Sequence, residues 1–256
     1  DIGLIMARRM SLEGAEVLAC VELMPYSNGL NRNIVQCLKD FNIPLYLSHT
    51  ITDIQGKEGR VNKVVVSKVD EKKNPIPGTE MEFEVDCVLL SVGLIPENEL
   101  SLGAGIEMDL GTKGPVVYDN METSIPGIFA SGNVVHVHDL VDFVSAESER
   151  AGEAAGKYVA QGALDCLKII HTQALENVAY TVPQRIRYHQ IDKGVQLFFR
   201  VRQVMKDATI VVKDKDNVIA QFKREHMAPG EMETIMIPKV LLEKVKGDTI
   251  SVEVQS

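Results

Sequence analysis

The spacing of apolar positions changes character along this chain. Up to about Leu94, helix-type and strand-type patterns alternate: a helix from Gly3 to Leu12, a strand from Val17 to Glu22, a helix from Asn31 to Phe41 and a strand from Pro44 to Ser48. That order predicts a short parallel α/β core. Three alternating runs follow, Ile51 to Ile54, Val61 to Val69 and Met81 to Val85, with turn residues at Gln55 to Gly59 and Lys72 to Gly78. They predict a three-stranded antiparallel excursion. Cys87 to Val92 is apolar but for Ser91, as in a strand buried on both faces.

From about Ile95 to His171 the pattern loosens. A glycine-rich linker, Gly103 to Gly114, leads to short strands at Val116 to Asp119 and Ile128 to Ala130, and a long helix is expected from Asp139 to Ile170. Ala146, Ala151, Gly152, Ala154, Ala155 and Gly156 give that helix a small-residue face for close approach to a neighbour. From about Thr172 to Ser256 the period becomes two. Val195, Leu197, Phe199 and Val201 alternate with Gln196, Arg200 and Arg202, and Ile250, Val252 and Val254 alternate with Ser251 and Glu253. Asp214 to Asn217 marks a hairpin turn between Thr209 to Val212 and Val218 to Phe222, and Ala228-Pro229-Gly230 separates the next pair. Six or seven short strands with turns every 8 to 12 residues or so predict an immunoglobulin-like sandwich. The reading is therefore α/β over residues 1–94, a helical return segment over 95–171, and an all-β domain over 172–256.

Composition narrows the function classes. With 256 residues, 45% hydrophobic and 25% charged, the chain can bury one large or two ordinary cores. The N-terminus lacks a signal-peptide pattern, and apolar runs stay short of the ~20 residues that span a bilayer. These features predict a cytoplasmic protein without membrane partners. A net charge of −9 argues against nucleic acid as a partner. Cys20, Cys37, Cys87 and Cys166 are too widely spaced for a C-x-x-C pair or a zinc pattern.

Candidate chemistry concentrates in two places. Thr123 to Asn133, TSIPGIFASGN, delivers an apolar strand into a small-small-polar end. Gly132 there has no Cβ to obstruct a ligand, and Asn133 offers a short polar side chain before the next helix. At the other place, Asp1-Ile2-Gly3 runs into a helix like the end of a G-x-G-x-x-G turn. Glu22 closes an apolar strand 19 positions after Gly3, where an acid reaches an adenosine ribose 2'-hydroxyl and disfavours a 2'-phosphate. Together with SVGLIPEN at Ser91 to Asn98, these motifs resemble the pyridine nucleotide-disulfide oxidoreductase superfamily, whose flavin-contacting pattern is T-x-x-x-G-[IVL]-[FY]-A-x-G-D. Asn133 stands where that pattern has Asp, and the first two glycines of the nucleotide fingerprint are absent.

The resemblance covers residues 1 to about 165. It implies a Rossmann-like FAD/NAD(P)-binding fold, incomplete at the N-terminus, with FAD and NAD(H) as cofactors and NADP less favoured. It places Gly3, Glu22 and Gly93 at the nicotinamide nucleotide, and Gly132, Asn133 and Val141 at the flavin. The backbone N–H groups of Val141 to Val144, at a helix start, would face the flavin pyrimidine ring. It also implies an FAD-binding portion upstream or on a companion subunit, and a partner dehydrogenase. A missing central strand leaves edges unpaired, so a homo-oligomer is expected. No residue is assigned acid–base catalysis.

Other readings remain open beside this one. A degenerate nucleotide fold could carry the β domain as a non-catalytic interaction module, or bind NAD(H) as a sensor without turnover. His136, His138, Asp139 and Asp142 invite a metal reading. No fourth-ligand pattern accompanies them, and a polar helix start lining a cofactor pocket accounts for the same residues, so no metal site is assigned.

Overall fold

A computed structural model describes residues 2–27, 29–163 and 167–255; Cys166 lies outside them. The chain divides into two compact units, residues 1–93 and 94–256.

In the first unit, α1 (Ile2–Leu12) turns Leu4 and Ala7 onto Cys37, Leu38 and Ile43. Strand β1 (Cys20–Glu22) pairs in parallel with β2 (Leu45–Leu47), as the alternating pattern implies. The helix expected between them is irregular. One α turn, α2 (Asn31–Asn33), passes into a π-helical turn (Ile34–Leu38) and a 3₁₀ turn (Lys39–Phe41) that ends at Asn42 with φ 56°. The antiparallel excursion forms as expected from β3 (His49–Lys57), β4 (Arg60–Lys68) and β5 (Met81–Glu84).

Cys87 to Val92 departs from expectation. It forms no strand and is not buried: Leu90 and Val92 are 69% and 90% exposed. A strand buried on both faces needs a ladder partner, and no described strand pairs with this run. Within it, Ser91 approaches α1: its Cβ would lie 3.1 Å from a Cβ built on Gly3.

The second unit begins with α3 (Glu99–Gly103) and a bridge-rich segment. Neither Val116 to Asp119 nor Ile128 to Ala130 becomes a full strand; each contributes single bridges, Val117 to Thr123 and Phe129 to Glu122. The long helix is shorter than expected. α4 spans Val141–Gln161, and the chain is already in β6 (Ile169–Ala174) where that helix was expected to end. Of its small residues, Ala151 is buried, whereas a Cβ built on Gly152 or Gly156 would meet nothing within 4 Å.

The remaining strands are β7 (Val178–Val182), β8 (Arg185–Arg187), β9 (Gly194–Val201), β10 (Met205–Asp214), β11 (Asn217–Met227), β12 (Glu233–Pro238) and β13 (Thr249–Gln255), with α5 (Lys239–Leu242) after β12. They form a five-stranded sheet, β11-β10-β13-β6-β8, and a three-stranded sheet, β12-β9-β7. The β10–β11 hairpin and the Ala228-Pro229-Gly230 break fall where the sequence predicts them. Both sheets fill one core with residues such as Ile210, Val252, Leu197, Phe199 and Ile235. The hydrophobic effect of covering these inner faces drives the pairing.

Alternation fails instructively on two strands. Central β13 buries Ser251 and Glu253 as well as Ile250, Val252 and Val254; Glu253 is matched by Lys213 on β10. On β9, Phe198 sits among the polar positions and is 1% exposed. It belongs to a second core with Val117, Met121, Val135, Ala151, Val182 and Met232, which joins the outer face of the small sheet to the 117–151 segment. No described helix is long and apolar enough to cross a membrane.

Candidate cofactor turn and a buried histidine–glutamate cluster

The TSIPGIFASGN segment is held by its own backbone and by Glu122. Thr123 N–H donates to Ile128 C=O at 2.8 Å, and Gly127 N–H donates to Glu122 Oε1 at 2.8 Å. Glu122 is buried and pairs with Arg187 of β8 at 2.7 Å. The turn is thus fastened to the β sheet rather than left as a free loop. Asn98, the last residue of SVGLIPEN, is buried and donates from Nδ2 to Lys113 C=O at 3.1 Å and Val134 C=O at 2.9 Å.

Gly132 opens a 3₁₀ turn, Gly132–Val134, at φ 73°. A Cβ there would be strained by that backbone and would stand 3.2 Å from Val144 Cγ1. Its N–H donates to Glu147 Oε2 at 2.9 Å. What Gly132 offers a ligand is therefore its bare backbone surface. Asn133 is exposed, and its Oδ1 accepts the His138 N–H at 3.0 Å, which folds the 133–138 loop back on itself. Val141 is 74% exposed at the first position of α4, and no side chain caps that helix. The uncapped N–H groups and the positive end of a 21-residue helix face a cavity of about 430 Å³ lined by Ser131, Gly132, Asn133, His138, Asp139, Leu140, Val141 and Val144. A glycine with no Cβ beside an uncapped helix start fits an extended anionic or carbonyl-bearing cofactor edge.

The loop is pinned from the β sheet. Arg200 of β9 donates to the carbonyls of Val137 at 3.0 Å and Pro229 at 3.1 Å and reaches Asp139 at 3.5 Å. Asp139 Oδ2 in turn accepts the Met232 N–H at 3.2 Å. Arg150 of α4 donates to Gln196 Oε1 at 3.4 Å. Gln196, Phe198 and Arg200, one face of β9, are thus the seat of the turn.

Beneath it lies a buried cluster. His136 Nε2 donates to Glu147 Oε1 at 2.7 Å, while His138 Nε2 stands 3.1 Å from Oε2 without the alignment of a hydrogen bond. All three side chains are 1% exposed or less. Burial alone raises the Glu147 carboxyl; the His136 hydrogen bond and the close approach of both imidazoles more than reverse this and lower it to about 2. Burial pushes His136 down, against the pull of Glu147, so the pair is best written as a neutral imidazole donating to a carboxylate. Asp139 and Asp142, which adjoin the histidines in sequence, take no part: the acid that meets them comes from α4.

In the first unit, Gly3 lets α1 pass close to Ser91: a Cβ built there would lie 3.1 Å from Ser91 Cβ. Glu22 ends β1, and its Oε1 accepts the Met24 N–H at 2.9 Å, shaping the loop at the carboxyl edge of the sheet. Gly93 is exposed, with φ 89°, at the last position of this unit. Gly3, Glu22 and Gly93 lie in one unit, Gly132, Asn133 and Val141 in the other.

Glu147, Phe198 and Arg200 escaped the sequence reading. Each left a signal: Glu147 sits on the helical period of Phe143 and Ala151, and Phe198 breaks a polar row on a strand.

The sequence pattern of the pyridine nucleotide-disulphide oxidoreductases matches residues 1–162. The chain belongs to this family. Its members are FAD- and NAD(P)H-dependent. Among curated relatives, the NADH oxidase of Methanocaldococcus jannaschii is 31% identical over 174 residues, 62% of this chain and 35% of that protein. The thioredoxin reductase of Listeria innocua is 34% identical over 128 residues, 48% and 37% of the two chains. The glutamate synthase [NADPH] small chain of Mycobacterium tuberculosis is 34% identical over 113 residues, 41% and 22%. The chain therefore spans well under half the length of these relatives. Of solved structures, T. acidophilum thioredoxin reductase superposes with a TM-score of 0.53 at 27% identity, covering 62% of this chain and 49% of that one. The family match ends within a residue of α4, so the two β sheets lie outside it.

Proposed function

We propose that this chain carries part of a cytoplasmic FAD-dependent NAD(P)H oxidoreductase, passing hydride equivalents from NADH to FAD and on to an acceptor, with the β unit an immunoglobulin-like sandwich. The observation that carries the reading is Gly132: a bare glycine at positive φ, set at the mouth of a cavity into which α4 points an uncapped N-terminus. FAD, when bound, supplies the hydride-accepting ring. The chain's part is binding and orientation. Gly132 keeps the approach open, the Val141 N–H end of α4 favours negative charge, and Asn133 supplies its amide at the rim. Gly3 and Glu22 hold the nucleotide, the carboxylate disfavouring a 2'-phosphate and so selecting NADH. A companion FAD-binding portion completes the site, a partner dehydrogenase is the electron partner, and unpaired sheet edges favour self-association.

A second reading is supported by one specific observation: the Gly132 N–H and the Asn133 Oδ1 are both spent inside the protein, as in a nucleotide fold turned interaction module. The test is the visible spectrum of the purified protein with equimolar FAD, before and after anaerobic NADH, with Gly132→Val and Glu22→Ala beside it. Retained flavin that bleaches with NADH, lost in Gly132→Val, upholds the oxidoreductase. Failure to retain flavin together with no measurable NADH binding would establish the module instead.

A further inference from the structure

We propose that His136, His138 and Glu147 form a binding site for a divalent transition-metal ion of the zinc type. Two imidazoles and a carboxylate are the nitrogen–nitrogen–oxygen donor set that zinc and neighbouring first-row metals take. Ligating atoms of the three residues lie within 4.8 Å of one another, and the side chains are essentially removed from solvent.

The independent observation is His138. Both of its ring nitrogens are buried without a hydrogen-bond partner among the described residues, and Nδ1 of His136 is likewise unpartnered. A carboxylate accepting from imidazole explains the His136 Nε2 contact alone. With His138 Nε2 3.1 Å from Glu147 Oε2 but misaligned, it leaves Nδ1 of both rings buried and unmatched, which proteins avoid. A metal ion on the His138 Nε2 lone pair, shared with Glu147 and His136, answers the orientation of both rings toward one carboxylate.

The geometry is near what an ion needs. Metal–ligand bonds of ~2.0–2.1 Å in a tetrahedral site set ligand atoms about 3.3 Å apart. His138 Nε2 to Glu147 Oε2 is 3.1 Å and His136 Nε2 to Oε1 is 2.7 Å, and ligand atoms of the three residues lie within 4.8 Å of one another, so the side chains shift by up to about 1.5 Å to close on one ion. On binding, His136 moves its ring hydrogen from Nε2 to Nδ1, leaving the Nε2 lone pair for the ion and the net charge of the ring unchanged. The outer contacts are those that orient ligands: Gly132 N–H on Glu147 Oε2, and Arg200 on the Val137 carbonyl between the two histidines. His138 also lines the cavity below Gly132, the side of the cluster nearest solvent-accessible space.

This inference does not depend on flavin binding. The chain, stripped with a chelator and dialysed, is titrated with Zn²⁺ against a chromophoric competitor, and Zn²⁺ X-ray absorption is recorded on the loaded protein. One equivalent with a Kd tighter than ~1 µM is expected, lost in His136→Ala/His138→Ala and kept in the exposed-histidine control His226→Ala. The absorption spectrum should show two imidazole ligands. No tight equivalent in the wild type, or one retained by the double variant, overturns the site. Should the double variant fail to fold, a wild-type absorption spectrum without two imidazoles overturns it as well.

Discussion

Phe198 and Phe199 are chain neighbours that support different cores, and removing each should loosen a different part of the second unit. Phe198 is 1% exposed, with its ring 5.5 Å from Phe143, 5.8 Å from His136 and 6.0 Å from His138. Phe199, fully buried, faces Leu197, Ile210 and Ile235 in the core between the sheets. Truncating a buried phenylalanine costs about 3–5 kcal/mol, the lost transfer energy plus the cavity left behind. Phe198→Ala should fall in that range, because β9 and α4 are each fixed by other contacts and cannot collapse into the gap. Urea denaturation reads the total. Hydrogen exchange by mass spectrometry reads the place: the Gly132 and His138 amides, bonded to Glu147 and Asn133, should exchange about 100-fold faster in Phe198→Ala, ~2.7 kcal/mol of local protection. Phe199→Ala should instead speed exchange along β10 and β13. A Phe198→Ala cost below about 1 kcal/mol, or identical exchange maps for the two variants, would refute the view that the outer face of β9 seats the turn.

Four further outcomes are expected. Gly132→Ala should lose about 1–2 kcal/mol in urea denaturation, since alanine at φ 73° is strained; an unchanged midpoint would show that the turn relaxes freely. Arg187→Met leaves Glu122 buried without its ion-pair partner and should cost about 3–5 kcal/mol by the same measurement; a cost near zero would mean that Glu122 is satisfied by Gly127 alone. Arg200→Lys cannot span the Val137 and Pro229 carbonyls together, and a loss of about 1–3 kcal/mol is expected. Lys213 holds the Glu253 carboxyl below its ordinary 4.5 by hydrogen bonding, against the upward push of burial. That stability is complete above pH 4.5 and is lost as the pH falls through the lowered value, so Lys213→Met should move acid unfolding, followed by circular dichroism, to higher pH. An unmoved acid limb would contradict the pairing.

Local signals decided much of this protein. The extended segments of β1 and β2, the antiparallel excursion and the β10–β11 hairpin follow from period and turn chemistry that act over a few residues. Gly3 and Gly132 were legible because a missing Cβ matters wherever backbones approach closely or φ is positive, and the motifs around them are short and contiguous. The end of α4 was misjudged because its last expected residues, Ile169 and Ile170, suit a helix as well as a strand; pairing with β13 and β8 settles the matter.

What the sequence alone determined was the order of elements, the family and the positions of the close-approach glycines, since those depend on near neighbours and on residue type. Tertiary structure decided three other things. Cys87 to Val92 is apolar enough for a central strand, yet a ladder needs a neighbour, and none of the described strands pairs with it. Phe198 and Arg200 look like ordinary members of an alternating strand until the 117–151 segment packs against their face. The partner of His136 and His138 is Glu147, nine residues beyond His138 on α4, instead of the adjacent Asp139 or Asp142. Chain proximity brings acids near histidines, but only a packed helix can press a carboxylate into a buried space between two imidazoles.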